Sequence, residues 1–508
     1  MKYLKNATIV DGSGAAPYRG DLLLDGAGIA GIGALTPPAE AETIDCTGLV
    51  AAPGFIDAHS HSDLQVLEGR MEKALQGVTA EVVGNCGFSP YPMAARPEAV
   101  RQFAAEILCG DDKWNWPSAS AYLSAAAAAP AANVYSLVGH GTLRVEVAGM
   151  EQRALTPAEL DRMEQLMVEA LDAGALGIST GLMYAPGSSA PPEELERICR
   201  VTAARGRVHA THMRNYGARL VESVDEQLDL ARRTGCRLQI SHLQAVGRAN
   251  WDLQQIALDH IHRAADEGVD VAYDGYPYLA GNTTLTQLLP QWTLDGGIER
   301  LEARLGDAGT RARIAAEMRA NIAFPWTDVY LTSVTSAQNK RLVGMNLAGI
   351  AEERGREPCE VVFELLLEER GKATMLTFNQ SEENLRRALT DPLAIVITDG
   401  LYVPGRHHPR LHGTFPRLLG ELCRSRHWFT LAEAVHKVTG KPAARFGISH
   451  RGLLREGYMA DIVLFDPEAI GSDADYENPE RLPAGIHAVF RNGERLNLVQ
   501  TVSSTHVN

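Results

Sequence analysis

Cysteine is scarce in this 508-residue chain: seven residues, Cys46, Cys86, Cys109, Cys199, Cys236, Cys359 and Cys423, scattered and odd in number. That pattern gives no disulfide framework and suits a reducing compartment. No apolar run approaches the ~20 residues that a membrane helix requires. The first residues carry no apolar export signal, so the expected location is the cytoplasm. Positive charge is also in short supply. Lys and Arg total 48 against 63 Asp and Glu, a formal net charge of −15. A field of that sign disfavours nucleic acid and anionic membranes as partners. It leaves room for an anionic small molecule held by a few local arginines.

What remains is the composition of an ordinary globular protein, 45% hydrophobic and 22% charged, but too long for one compact core. Both ends have the texture of short strands between glycine turns. Leu4–Val10, Asp21–Leu24 and Gly28–Ile32 are candidates near the start. Gly457–Asp466 and the Asn492-Gly493 hairpin are their counterparts near the end. Neither set could bury a core alone. The expectation is one small β-domain from residues 1–52 and 449–498, followed by a polar tail, 499–508.

The middle alternates strand and helix. Thr156-Pro157-Ala158-Glu159 reads as a capping box with proline at the first helical position. Leu160, Met163, Met167 and Leu171 follow at helical spacing, and Gly174 closes the helix. The unit recurs, with helices ending near Gly235 and Gly268 and a strand after each. Candidate strand ends fall near Ile56, Val83, Val138, Ser179, Thr211, Ser241, Asp274 and Thr398. Eight such units predict an α/β fold, a (β/α)8 TIM-type barrel over residues 53–448. The long interval between the seventh and eighth strands must hold an insertion, about 280–385, with its own strand at Val329–Ser333. Its place at the catalytic end makes it a cover for the substrate.

In such barrels chemistry sits at the C-terminal strand ends. His59 and His61 follow the first strand, and residues two apart in an extended chain share one side. Cys86 follows the second, His212 the fifth, His242 the sixth and Asp399 the eighth. Four imidazoles, a thiol and a carboxylate at one structural level make a metal-ligand set.

These segments, with Gly84-Asn85-Cys86-Gly87, Val138-Gly139-His140-Gly141, Thr211-His212-Met213-Arg214, Tyr276-Pro277-Tyr278 and His408-Pro409-Arg410, resemble the N-acyl-D-amino-acid deacylase (D-aminoacylase) group of the metal-dependent amidohydrolase superfamily, over nearly the whole chain. The resemblance implies a zinc site, with one or two ions, in which a cysteine thiolate replaces the carboxylated lysine of many relatives. Cys86, His212 and His242 would form the tight site; His59, His61 and Asp399 would form a weaker one. Asp399 would be the catalytic base and acid. An N-acyl amino acid carries a carboxylate, for which Arg410 is the first candidate partner, with Arg214, Arg341 and Tyr276 as further ones. His140 or Tyr184 would hold the oxyanion, or else be packed scaffold residues.

Two departures from the group concern substrate: Gln244 stands where a lysine is usual, and Asn215-Tyr216 replaces an acidic pair. A cyclic amide, a D-dipeptide or another carboxamide therefore stays open as substrate, as does a non-catalytic barrel. A homo-oligomer is compatible with all of these readings.

Overall fold

The structure, a computed structural model, describes residues 1–105, 107–110, 113–322 and 324–498; the expected polar tail, 499–508, lies outside the described residues. Eight short parallel strands form the centre. In order they are Phe55–Asp57, Val78–Val83, Asn133–Ser136 continued by Val138–Gly139, Gly177–Gly181, Val208–His212, Arg237–Ile240, Val271–Gly275 and Ala394–Val396. Each pairs in parallel with the next. The third breaks at Leu137, whose N–H donates to Val83 O at 2.9 Å and carries the pairing across. This is a TIM-barrel-type α/β fold, as the eight predicted strand ends require.

Helices alternate with strands on the outside. The helix Pro157–Asp172 has the full capping box of Thr156 and Glu159. Its Met163, Met167 and Leu171 are buried in the layer between helices and strands. The helix Leu220–Thr234 stops at Gly235, which takes the left-handed conformation (φ 69°) that a Cβ would disfavour. Inside the barrel, Ile56, Ala80, Val82, Leu176, Val208, Ala210, Ile395 and Ile397 fill the core.

Eight strands from the two ends of the chain share a second sheet. Ile462–Phe465 lies between Val50–Pro53 and Ile486–Arg491, and Lys2–Ile9 pairs with Val50–Pro53, Tyr18–Asp25 and Glu42–Asp45. Between the seventh and eighth barrel strands stands a three-stranded antiparallel sheet, Ala280–Thr284, Thr374–Phe378 and Val329–Ser333, with its own apolar core. Its last strand ends before the expected limit near 385. The helix Glu382–Thr390 already packs on the barrel, burying Leu385 and Leu389.

The barrel closes through an ionic seam. Asp57, at the end of the first strand, accepts from Thr398 N at 3.0 Å and from Thr398 Oγ1 at 2.5 Å. Lys73, almost fully buried, is ion-paired to Asp57, lies 3.3 Å from Glu81, and donates to Ser60 Oγ and Thr398 Oγ1 at 2.9 and 2.8 Å. The Asp399 N–H then donates to His59 O at 2.9 Å. Removing one member of a buried ionic network leaves uncompensated charge, at about 3–5 kcal/mol. Urea unfolding of Lys73→Met is expected to show a loss of about that size, whereas the exposed Lys340→Met changes stability by less than ~0.5 kcal/mol. Equal effects would show that the seam does not hold the barrel shut.

Candidate metal centre and substrate cavity

The six expected ligands meet at the C-terminal end of the barrel. His59 Nε2 lies 3.3 Å from Cys86 Sγ and 3.4 Å from Asp399 Oδ1. His61 Nε2 is 3.2 Å from the same carboxylate oxygen. Cys86 Sγ is 3.7 Å from His242 Nε2. The rings of His212 and His242 stand edge to face at 4.6 Å. Two sets of ligand atoms converge, His59–His61–Cys86 and Cys86–His212–His242, so that the thiol belongs to both.

The backbone bends to achieve this. Cys86, His242 and Asp399 all have positive φ, 53°, 34° and 48°. Such conformations in non-glycine residues cost about 1–3 kcal/mol each and concentrate at functional sites. Glycines beside them make room. A Cβ on Gly84 would stand 2.1 Å from Leu137 O, and one on Gly181 would stand 2.0 Å from Cys86 O. The Gly-Asn-Cys-Gly turn therefore delivers the thiol because its neighbours carry no side chain.

Residues that sequence reasoning missed hold the ligands in place. Asp274, named only as a strand end, accepts from His242 N at 2.6 Å and lies 3.5 Å from His59 Nδ1. Its other oxygen accepts from Gln239 at 2.9 Å. Its position at the end of the seventh strand was the available signal. Tyr216 accepts from Met213 N and donates to Ser241 O, both at 3.0 Å, and packs its ring on His212 and His242. Asn215 caps its own loop by accepting from Gly217 N and Arg219 N at 2.9 and 3.0 Å.

Burial penalises charge on all these groups, and they answer one another. Burial alone would drive Cys86 to the neutral thiol, but His59, His212 and His242 hold it well below the usual thiol range. For His59, burial is outweighed by Cys86, Asp274 and Asp399, which raise it. His61 is likewise raised against burial to about 9, through Asp399 and Cys86. In His212 burial prevails, to about 4. Asp399, despite burial, is held well below the carboxylate range by Arg410, His59 and His61.

The donor set fits zinc: imidazole nitrogens, a thiolate and a carboxylate, all buried at one place. The buried Nδ1 atoms of His61, His212 and His242 also lack a hydrogen-bond partner.

A cavity of about 660 Å3 opens over this cluster. His61, Cys86, His212, His242 and Asp399 line its floor; Tyr184, Tyr276, Gln244 and Arg410 stand at its side. Arg410 Nη1 is ion-paired with Asp399 Oδ2 at 2.9 Å without hydrogen-bond alignment, and its Nε has no partner. Its guanidinium lies over the Tyr276 ring at 4.5 Å. Tyr276 donates to Gln244 at 3.2 Å. The Tyr184 ring lies tilted against His212, with centroids 4.7 Å apart.

Three expectations do not meet the cavity. His140 is buried off its wall, with Nε2 2.7 Å from Glu194, a carboxylate it shares with Arg144; the oxyanion role fails for it. Arg214 is taken up by Glu226, Ser188 O and Ala190 O. Arg341 pairs with Glu353 near the surface.

A parallel barrel with such a cluster at its C-terminal end defines a metal-dependent hydrolase scaffold. Comparison with known proteins narrows this. Residues 42–496 match the profile described as Amidohydrolase family. The chain is 37% identical over 507 residues to a D-aminoacylase of Alcaligenes xylosoxydans xylosoxydans, covering 99% of this chain and 96% of that one. It is 35% identical over 505 residues to an N-acyl-D-aspartate deacylase of the same organism, covering 97% and 91%. Among solved structures, an N-acyl-D-glutamate deacylase from Bordetella bronchiseptica superposes with TM-score 0.84 at 34% identity, covering 97% and 95%; that crystal holds zinc and a phosphonate mimic of the tetrahedral intermediate. The chain belongs to the amidohydrolase family, in its N-acyl-D-amino-acid deacylase group.

The electrostatics of Cys86 can be read directly. In the metal-stripped chain, its alkylation by iodoacetamide, followed by peptide mass spectrometry, is expected to stay nearly flat from about pH 9 to about pH 6, since a depressed pKa keeps the thiolate populated; an ordinary thiol of pKa ~8.5 slows about tenfold per unit below that value. Added zinc should block the reaction. A tenfold fall per unit would contradict the assignment.

Proposed function

We propose that this protein hydrolyses the amide bond of an N-acyl-D-amino acid. Water adds to the acyl carbon, the C–N bond breaks, and a carboxylate and a D-amino acid leave. The observation that carries the reading is the convergence of His59, His61, Cys86, His212, His242 and Asp399 beneath one cavity. Cys86, His212 and His242 would hold one zinc ion tightly, and His59, His61 and Asp399 a second more weakly. A bound zinc ion supplies polarisation of the amide carbonyl and lowers the pKa of water at the site.

The chain's own groups do the rest. Asp399 takes a proton from the attacking water on Oδ1, the oxygen facing His59 and His61, and passes it to the leaving nitrogen. Its low pKa keeps it ionised and ready at neutral pH. Arg410 steadies the other oxygen, and its Nε–H, which has no partner, is left for the substrate carboxylate. Tyr276 holds the guanidinium by its ring face. Tyr184, packed against His212 within the cavity lining, is the remaining candidate to steady the oxyanion.

The chain divides, on this reading, into a small β-domain (1–52 and 449–498) and a hydrolase barrel (53–448) whose insertion covers the site. Leu288, Leu289, Met318, Ile322, Phe324 and Met375 from the insertion line the cavity. An apolar wall suits an apolar side chain or acyl group, unlike the acidic side chains in the names of two relatives. Gln244 in place of a lysine points the same way, since it removes a cation. No helix among the described residues is long and apolar enough to cross a membrane; the cytoplasm is the proposed compartment.

Three measurements test this. Zinc-loaded protein should release free amino acid from N-acetyl-D-leucine or N-acetyl-D-methionine, with little activity on the L-enantiomers or on N-acetyl-D-aspartate. Absence of turnover on every N-acyl-D-amino acid would overturn the proposal. Asp399→Asn should lower kcat by about 10²–10⁴ while keeping the tightly held zinc; near-normal turnover would remove Asp399 from proton transfer. Cys86→Ala should lose the zinc of the catalytic centre and activity together, read as a fall in zinc per chain relative to wild type by elemental analysis beside the assay.

A further inference from the structure

A second set of soft donors meets behind the barrel wall, away from the catalytic cavity. Cys199 lies in the helix Pro192–Ala204, His209 in the fifth strand, and Cys236 just ahead of the sixth. All three are 2% exposed or less. One ligand atom from each lies within 4.8 Å of the other two, and Cys199 Sγ is 3.4 Å from His209 Nδ1. Strand alternation explains the placement. Val208 and Ala210 belong to the barrel interior. His209 and Thr211 point the other way, to the helix layer that contains Cys199 and Cys236.

The hydrogen bonds around His209 favour Nδ1 as the free ring nitrogen. Thr180 donates its hydroxyl proton to Thr211 Oγ1 at 2.8 Å, so towards His209 Nε2, 3.0 Å away, it acts as acceptor. A proton on Nε2 leaves a lone pair on Nδ1, aimed at the thiols. A metal-binding histidine is oriented in the same way, by a partner on its other nitrogen.

The charge balance selects the ion. Two thiolates and a neutral imidazole carry −2. A divalent cation makes the group neutral, so its burial leaves no net charge to solvate; a monovalent ion would leave one negative charge in an apolar layer. Sulfur donors select soft or borderline ions of the zinc class. A d10 ion imposes no geometry through its d electrons, and these three donors would fill three of the four positions of a tetrahedral site.

We propose that Cys199, His209 and Cys236 form a structural site for a divalent, thiophilic ion such as Zn2+, independent of the catalytic centre. On binding, each thiol loses its proton to solvent, two S–metal bonds and one N–metal bond form, and no group changes oxidation state. The ion would fasten the helix Pro192–Ala204 to the strand that carries His212 and to the chain entering the strand before His242.

The test uses the full chain carrying Cys86→Ala, so that no thiolate remains in the catalytic cavity. It is expressed in minimal medium with Co2+ in place of zinc, which lets the enclosed site fill as the chain folds. The expected result is a sulfur-to-cobalt charge-transfer band with one cobalt retained per chain, lost when Cys199→Ser and Cys236→Ser are added. Should that variant fail to fold, Cys236→Ser or His209→Gln alone should weaken or shift the band. No band in the Cys86→Ala protein, or a band unchanged by these substitutions, overturns the proposal. So does a thiol count of five rather than seven in the wild-type chain denatured without reductant, which would mean that the two cysteines pair as a disulfide.

Discussion

The closure of the barrel between its eighth and first strands is the contact on which everything else rests. Asp57 receives Thr398 by both backbone and side chain, Lys73 neutralises the seam from below, and the next residues along, Asp399 and His59, are thereby joined backbone to backbone. The first and last candidate ligands are some 340 positions apart in sequence. They share a cavity floor because this seam fixes the relative height of two strands. A buried lysine between two carboxylates is expensive to desolvate and justified only by close pairing; here the pairing also sets the register of the site.

Above the seam, the site is a set of charges that stabilise one another in the absence of bulk water. The Cys86 thiolate faces imidazoles, and the Asp399 carboxylate faces His59, His61 and the Arg410 guanidinium. Burial opposes each charge singly and permits them only together. The same grouping presents donors ready for a cation and keeps a proton acceptor ionised. Its backbone strain at Cys86, His242 and Asp399 is carried by the packed barrel beneath, which is how strained functional positions persist. The insertion, a small antiparallel sheet with its own core, adds both apolar and polar side chains to the cavity lining.

Much of this was legible from residue order. Alternating strand and helix patterns gave the eight barrel units, and the strand ends gave all six candidate ligands. The Asn492-Gly493 hairpin turn and the Thr156 capping box form as read. Less legible were residues whose work depends on what lies across the fold. Asp274 looks like any strand terminus until His59 and His242 stand on either side of it. Tyr216 looked like a departure in a motif, yet it braces two histidine rings. His140, within the Gly139-His140-Gly141 segment, is bonded to Glu194, a carboxylate it shares with Arg144.

The sequence alone therefore determined the kinds of element, their number and the chemistry available at each strand end, since those follow from local periodicity and from residue type. Tertiary structure decided which of those side chains converge, which are consumed by neighbours and which pairs of cysteine and histidine gather on the far side of the wall. The reason is physical: a strand's pattern fixes which of its faces a side chain occupies, but the distance between side chains on different strands depends on barrel closure and register, set by contacts between residues hundreds of positions apart.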